Sequence, residues 1–158
     1  MSQTQTLDGQ DPALPPRLAS MVAELASIDD LEEKYDLLIE LGKEVEDIPA
    51  ERKTMECLVQ GCQSVTHVYA TLEDGKLRLH GHADAMIVNG LLALLVLGLD
   101  GMTPEAFLKV NPKFIETTGV IKSLTPSRVN GFYNIHEKLK ADALLLLGKQ
   151  AQGASNGN

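Results

Sequence analysis

Both cysteines of this chain fall in one short stretch, Met55-Glu-Cys-Leu-Val-Gln-Gly-Cys-Gln-Ser64, with four residues between them. A thiol there invites three kinds of chemistry, metal ligation, disulfide redox and nucleophilic attack, besides plain packing. The C-x4-C spacing is not the C-x2-C of zinc ribbons or thioredoxin-like redox sites. A zinc site would have to recruit His67, His80 or His82, of which His80 and His82 point to the same side of a strand. Histidines on the polar face of a strand are more often solvated than ligating.

The two cysteines have different neighbours. Gly61 gives the backbone before Cys62 unusual freedom, and Gln63 and Ser64 after it supply polar donors suited to a thiolate or a persulfide. A thiol on a polar loop is placed for exposure, a condition of reactivity. Cys57, beside Leu58 and Val59, fits equally the packing of a small hydrophobe. No Lys, Arg or helix N-terminus lies beside Cys62 in the local sequence, so the residues alone leave a reactive thiol and a packed one both open.

The elements that must hold this loop are legible around it. Val68, Ala70 and Leu72 alternate with polar neighbours, as do Leu77 and Leu79, across Glu73-Asp74-Gly75-Lys76. Asp-Gly between alternating apolar residues predicts a hairpin with a two-residue turn, Leu72 opposite Leu77 and Ala70 opposite Leu79, its apolar residues on one side. Two strands are marginal in water, so helices must cover that side.

Helices are predicted on both flanks. Leu18, Met21, Val22 and Leu25 mark one from Pro16 to about Ser27. A second starts at Asp29 as N-cap with Glu32 in the capping-box position, and Leu31, Tyr35, Leu38 and Leu41 line its inner face. An apolar helix spans about Asp84 to Gly98, and two more enter at Thr103-Pro104 and Thr125-Pro126, with Thr as N-cap and Pro in first position. In the last, Val129, Phe132, Ile135, Leu139, Ala143 and Leu146 form the buried stripe. Residues 44–60 read as a loop or short helix. The whole is α+β, a single domain over residues 15–147 with disordered tails at 1–14 and 148–158.

Composition narrows the partners. The formal charge of -8, with 14 basic against 22 acidic residues and no basic run, excludes a nucleic-acid binder. The apolar run Leu91–Leu99 is too short for a membrane helix, and the first residues lack a secretory signal. The expected location is the cytoplasm, where thiols stay reduced.

Four segments in order, Leu31-Glu-Glu-Lys-Tyr-Asp-Leu-Leu-Ile-Glu-Leu-Gly-Lys43, Val59-Gln-Gly-Cys-Gln-Ser64, Asp84-Ala-Met-Ile-Val-Asn-Gly-Leu91 and Leu124-Thr-Pro-Ser-Arg-Val-Asn-Gly131, resemble the SufE/CsdE family of sulfur-acceptor proteins, from about Leu18 to Leu145. The resemblance implies a small antiparallel sheet packed against helices, similar to the fold of iron-sulfur scaffold proteins. It implies that Cys62 accepts persulfide sulfur from a cysteine desulfurase of the SufS/CsdA type, stimulates that enzyme, and passes the sulfur to an iron-sulfur scaffold protein. The chain would then be an accessory of the desulfurase rather than a stand-alone enzyme. Pyridoxal phosphate would belong to the desulfurase, and this chain would need no cofactor or metal of its own. Asp84 and Arg128 are implied near the Cys62 loop, with Gly61, Gln63 and Ser64, in docking or loop positioning; helix capping or ion pairing accounts equally for Arg128. Relatives commonly have another polar residue at Cys57, and Gln-Val-Trp where this chain has Val65-Thr66-His67. The competing class is a thiol redox enzyme with Cys57 as the resolving cysteine.

Overall fold

A computed structural model describes residues 14–62 and 64–156, the side chains of 153–156 excepted. Residues 1–13, within the expected N-terminal tail, and Gln63 lie outside the described residues. The elements run α1 (Pro16–Ala26), α2 (Leu31–Lys43), β1 (Thr66–Glu73), β2 (Lys76–Ala83), α3 (Met86–Val96), α4 (Pro104–Leu108), α5 (Phe114–Thr118) and α6 (Pro126–Asn156).

β1 and β2 pair antiparallel with Leu72 opposite Leu77 and Ala70 opposite Leu79. Asp74 and Gly75 both adopt left-handed conformations, φ 56° and 78°, forming the type of tight turn whose twist matches that of the flanking strands. Val68, Leu77 and Leu79 are buried against a helical layer in which α3 faces β2 and α6 faces β1. Leu91, Leu92, Leu94 and Leu95 are all fully buried: α3 is enclosed on all sides, which is why its sequence is a continuous apolar run rather than a stripe. The α6 stripe is buried at Phe132, Ile135, Leu139 and Ala143.

The outer edges of this two-stranded sheet are occupied by other groups. On the β1 side the Val68 N–H donates to the Cys57 carbonyl at 2.8 Å, and the Val59 N–H to the Thr66 carbonyl at 2.8 Å. Farther along, the Ala70 N–H donates to the Asp142 carboxylate of α6 at 3.0 Å, while Lys138 Nζ donates to the Val68 carbonyl at 3.2 Å and to Asp142 at 2.8 Å. On the β2 side the Leu79 N–H donates to Asp100 at 2.7 Å and the Leu77 N–H to the Met102 carbonyl at 2.7 Å. Side chains and loops thus satisfy groups that would otherwise template another strand.

Several sequence expectations shift. The α2 N-cap is Asp30, not Asp29: its carboxylate accepts from the Glu32 N–H at 2.9 Å, one residue later than the capping-box reading. Leu31, in the first turn, lies at the surface, 41% exposed, and the inward face is instead Lys34, Leu38 and Gly42. The apolar helix is trimmed to Met86–Val96, because Asp84 and Ala85 form the bend leading out of β2, with Ala85 still in an extended conformation. The polar face of the hairpin is partly covered: Tyr69 is buried beneath residues 48–57, while Arg78 on the same face stays exposed. Helix α6 continues past Gly148 to Asn156, through most of the segment read from its composition as a tail.

Candidate functional site

The residues before β1 form a turn that α6 holds from beneath. Gly61 adopts φ 78°, a conformation that favours glycine, and its carbonyl accepts a hydrogen bond from Asn134 Nδ2 at 3.2 Å. A Cβ added to Gly61 would lie 2.7 Å from that same Asn134 nitrogen, so the close approach needs a residue without a side chain. One turn earlier on α6, a Cβ at Gly131 would stand 3.1 Å from Cys62 Sγ. The helix backbone therefore comes up directly under the thiol.

Cys62 is half-buried, with Sγ 3.5 Å from Thr66 Oγ1 and 3.8 Å from Ser64 Oγ, the two hydroxyls being 2.8 Å apart. It opens on a cavity of about 300 Å³ lined by Cys62, Ser64, Ala85, Val88, Ser127 and Arg128. Ser127 and Arg128 belong to the first turn of α6, whose N-terminal end carries the positive pole of the helix dipole. Arg128 and the first turn of α6 thus share one cavity with the Cys62 thiol. The backbone N–H of Arg128 donates to Thr125, to the carbonyl at 3.0 Å and to Oγ1 at 3.3 Å. The helix-capping contact is thus made by its backbone and by Thr125, and the residue lines the cavity.

Of the residues singled out from sequence, Cys62, Ser64 and Arg128 share this cavity, and Gly61 shapes the turn beside it. Asp84 is exposed and stands next to the loop through its backbone, whose N–H donates to the Val65 carbonyl at 3.1 Å; its carboxylate is not part of the cavity lining. Three contributors went unnoticed in the sequence. Gly131 ends the Arg-Val-Asn-Gly segment with no local sign of a close approach to the thiol, and Asn134, one turn farther, carries no local signal. Thr66 sits at the first position of β1, in phase with Val68, Ala70 and Leu72, so the alternation that turns those residues inward also buries its hydroxyl.

Cys57 occupies different surroundings. It is buried against Ile48 and Tyr69 on the opposite face of the hairpin, whereas Cys62 packs against the main core. The packing reading of Cys57 is the one realised. Arg52 lies 4.2 Å over the Tyr69 ring, and His80 stacks on the other neighbour position of that ring with centroids 4.7 Å apart. Burial holds the His80 imidazole below its usual pKa, with Asp100 opposing and Arg78 and Arg52 adding to the effect. His82 Nδ1 lies 3.7 Å from Asp47. Among the described residues no group of three or more His, Cys, Asp or Glu side chains converges as a metal site.

Residues 19–143 match the family model described as SufE, Fe-S metabolism associated domain. The chain belongs to the SufE family. It is 43% identical over 140 residues to an uncharacterised SufE-like protein of Synechocystis, covering 89% of this chain and 88% of that one. It is 38% identical over 112 residues to the cysteine desulfuration protein SufE of Plasmodium falciparum, and 34% identical over 145 residues to the chloroplastic/mitochondrial SufE-like protein 1 of Arabidopsis thaliana. The matches span 45% and 39% of those two longer proteins. Among solved structures, a hypothetical protein of Thermus thermophilus shares the fold with a TM-score of 0.74 and 31% identity, over 85% of this chain and 98% of that one. The SufE family match includes the Gly61-Cys62 turn, Asp84 and Arg128 within its bounds, and among the described residues no helix is long and apolar enough to cross a membrane.

Proposed function

We propose that this protein is a sulfur acceptor in iron-sulfur cluster assembly, taking persulfide sulfur from a cysteine desulfurase onto Cys62. The observation that carries the reading is the half-buried Cys62 thiol at a cavity walled by Arg128 and the first turn of α6, within a SufE domain. The Plasmodium relative bearing the name cysteine desulfuration protein supports the same class of partner.

The transfer balances as one thiol exchange. The Cys62 thiolate attacks the terminal sulfur of the desulfurase's cysteine persulfide, a new S–S bond forms, the old one breaks, and the desulfurase cysteine leaves as thiolate. Cys62 then carries the persulfide to an iron-sulfur scaffold protein. Pyridoxal phosphate chemistry on free cysteine is left to the desulfurase, of the SufS/CsdA type, and this chain supplies only the thiol and its setting. Val65 and Met86, 52% and 64% exposed, stand on the two segments bounding the cavity and offer apolar surface for docking. A reduced compartment such as the cytoplasm suits a carrier that works as a free thiol.

The test is desulfurase turnover with L-cysteine, followed by mass analysis of this protein. Stimulation together with a gain of one sulfur atom on the Cys62 peptide is expected, both lost in Cys62→Ala and both kept in Cys57→Ala. Equal stimulation by wild type and Cys62→Ala would sink the proposal. The redox alternative finds less support, because the two thiols belong to separate clusters on opposite faces of the hairpin.

A further inference from the structure

The Cys62 sulfur has one neighbour that the sulfur-acceptor reading does not use. Thr66 is fully buried, yet its hydroxyl is spent on no distant partner: Oγ1 reaches Cys62 Sγ at 3.5 Å, Ser64 Oγ at 2.8 Å and the Ser64 carbonyl at 3.3 Å. A hydroxyl has one proton and two lone pairs, so Thr66 can donate to only one of these at a time.

With the Cys62 thiol protonated, Thr66 donates to the Ser64 carbonyl and accepts from the Ser64 hydroxyl or the thiol. When Cys62 loses its proton to solvent, the sulfur becomes the strongest acceptor within reach. The Thr66 proton then turns from the carbonyl to the sulfur, while the Ser64 hydroxyl continues to donate to Thr66 Oγ1. We propose that Thr66 is a positioning residue for Cys62, a buried hydroxyl that donates to the thiolate and, backed by Ser64, holds its sulfur toward the cavity. A donor to a charged acceptor is worth more than one to a neutral acceptor, and burial keeps water from replacing it.

The inference deepens the sulfur-acceptor reading by naming what tunes its thiol, but it is measured without a desulfurase. Failure of sulfur transfer and failure of this proposal are therefore separate results. The experiment follows iodoacetamide alkylation of the full chain against pH, quantified on the Cys62 peptide so that Cys57 does not contribute, in wild type, Thr66→Val, Thr66→Ser and Ser64→Ala.

The expected result for Thr66→Val is a profile moved by roughly one pH unit to higher pH, which at neutral pH is about a tenfold slower reaction. Thr66→Ser, which keeps the hydroxyl, follows the wild type, and Ser64→Ala shifts in the same direction by less. A purely structural role for Thr66 gives a different pattern: the loop loosens and alkylation speeds up at every pH with the midpoint unmoved. That pattern, or a Thr66→Val profile superimposed on wild type, overturns the proposal, as does a Thr66→Ser profile that follows Thr66→Val. Should Thr66→Val not fold, Ser64→Ala and Thr66→Ser carry the decision: a shift in the first with none in the second supports it, and any other pairing overturns it.

Discussion

His136 lies in the middle of α6, 3% exposed and stacked on Phe107 at 5.8 Å between centroids, and neither ring nitrogen has a hydrogen-bond partner among the described residues. Burial pushes its pKa below the usual 6.5, with Glu137 opposing and Lys140 adding to the effect. The sign of the linkage follows. The unfolded chain takes up a proton near pH 6.5 that the folded chain resists, so the histidine leaves stability untouched above that pH and erodes it as pH falls below it. His136→Phe keeps the stack and removes two unpaired buried nitrogens, each of which costs roughly 1–3 kcal/mol when left unsatisfied. Urea melts should find the variant at least as stable as wild type at pH 7.5 and less sensitive to acid between pH 6.5 and 5 (limits set by the histidine range). An acid limb as steep as that of wild type would show that another group governs it. The same scale separates the cysteines: Cys57 fills a gap beside Tyr69, so Cys57→Ala should lower stability modestly and leave sulfur acceptance intact.

At the scale of elements, the hairpin stands because its edges are paired and one face is covered by α3 and α6. The Lys138 and Asp142 pair of α6, one helical turn apart, supplies both a donor and an acceptor to the outer edge of β1. Asp142→Ala removes the acceptor of the Ala70 N–H and leaves Lys138 without its carboxylate. The loss should be about 1–3 kcal/mol, read as a lower urea midpoint at unchanged slope, and faster amide exchange at Ala70 than at the inner positions of the hairpin. Because Cys62 sits one short turn before β1, the fraying would also reach the loop, raising alkylation of Cys62 without moving its pH profile.

For the molecule as a whole, one buried cation ties three helices. Lys34 of α2 is 6% exposed, and its Nζ donates to the Leu25 carbonyl in the last turn of α1 at 2.6 Å and to the Thr118 carbonyl at the end of α5 at 2.8 Å. Carbonyls at helix ends lack intrahelical donors and carry the negative pole of the dipole, so an ammonium is the apt group to join two of them. Lys34→Met keeps most of the length and removes the charge. Two hydrogen bonds from a charged group disappear at once, and roughly 3 kcal/mol of stability should go with them. Chemical denaturation measures it, and a change under about 0.5 kcal/mol, the usual range for surface substitutions, would show the tie to be idle.

Much of this protein follows from its sequence alone. The Asp74-Gly75 hairpin and its register, the buried stripes of α1 and α6 and the position of Cys62 in a Gly-Cys-Gln-Ser segment are local, set by side-chain periodicity and residue order within a few residues. What periodicity cannot express is which distant groups meet. Lys34 reads as one more charged residue until α1 and α5 end beside it, and Tyr69 reads as solvated until residues 48–57 cover it. Cys62 has no cation or helix end near it in sequence; only the packing of α6 against β1 brings Arg128, Gly131 and Asn134 to a thiol more than sixty residues earlier. The sequence by itself determined that a thiol follows Gly61 in a Gly-Cys-Gln-Ser segment, because that depends only on residue type and order. The tertiary structure decided what surrounds it, because a thiol's charge and access depend on groups that only long-range packing brings within a few ångströms.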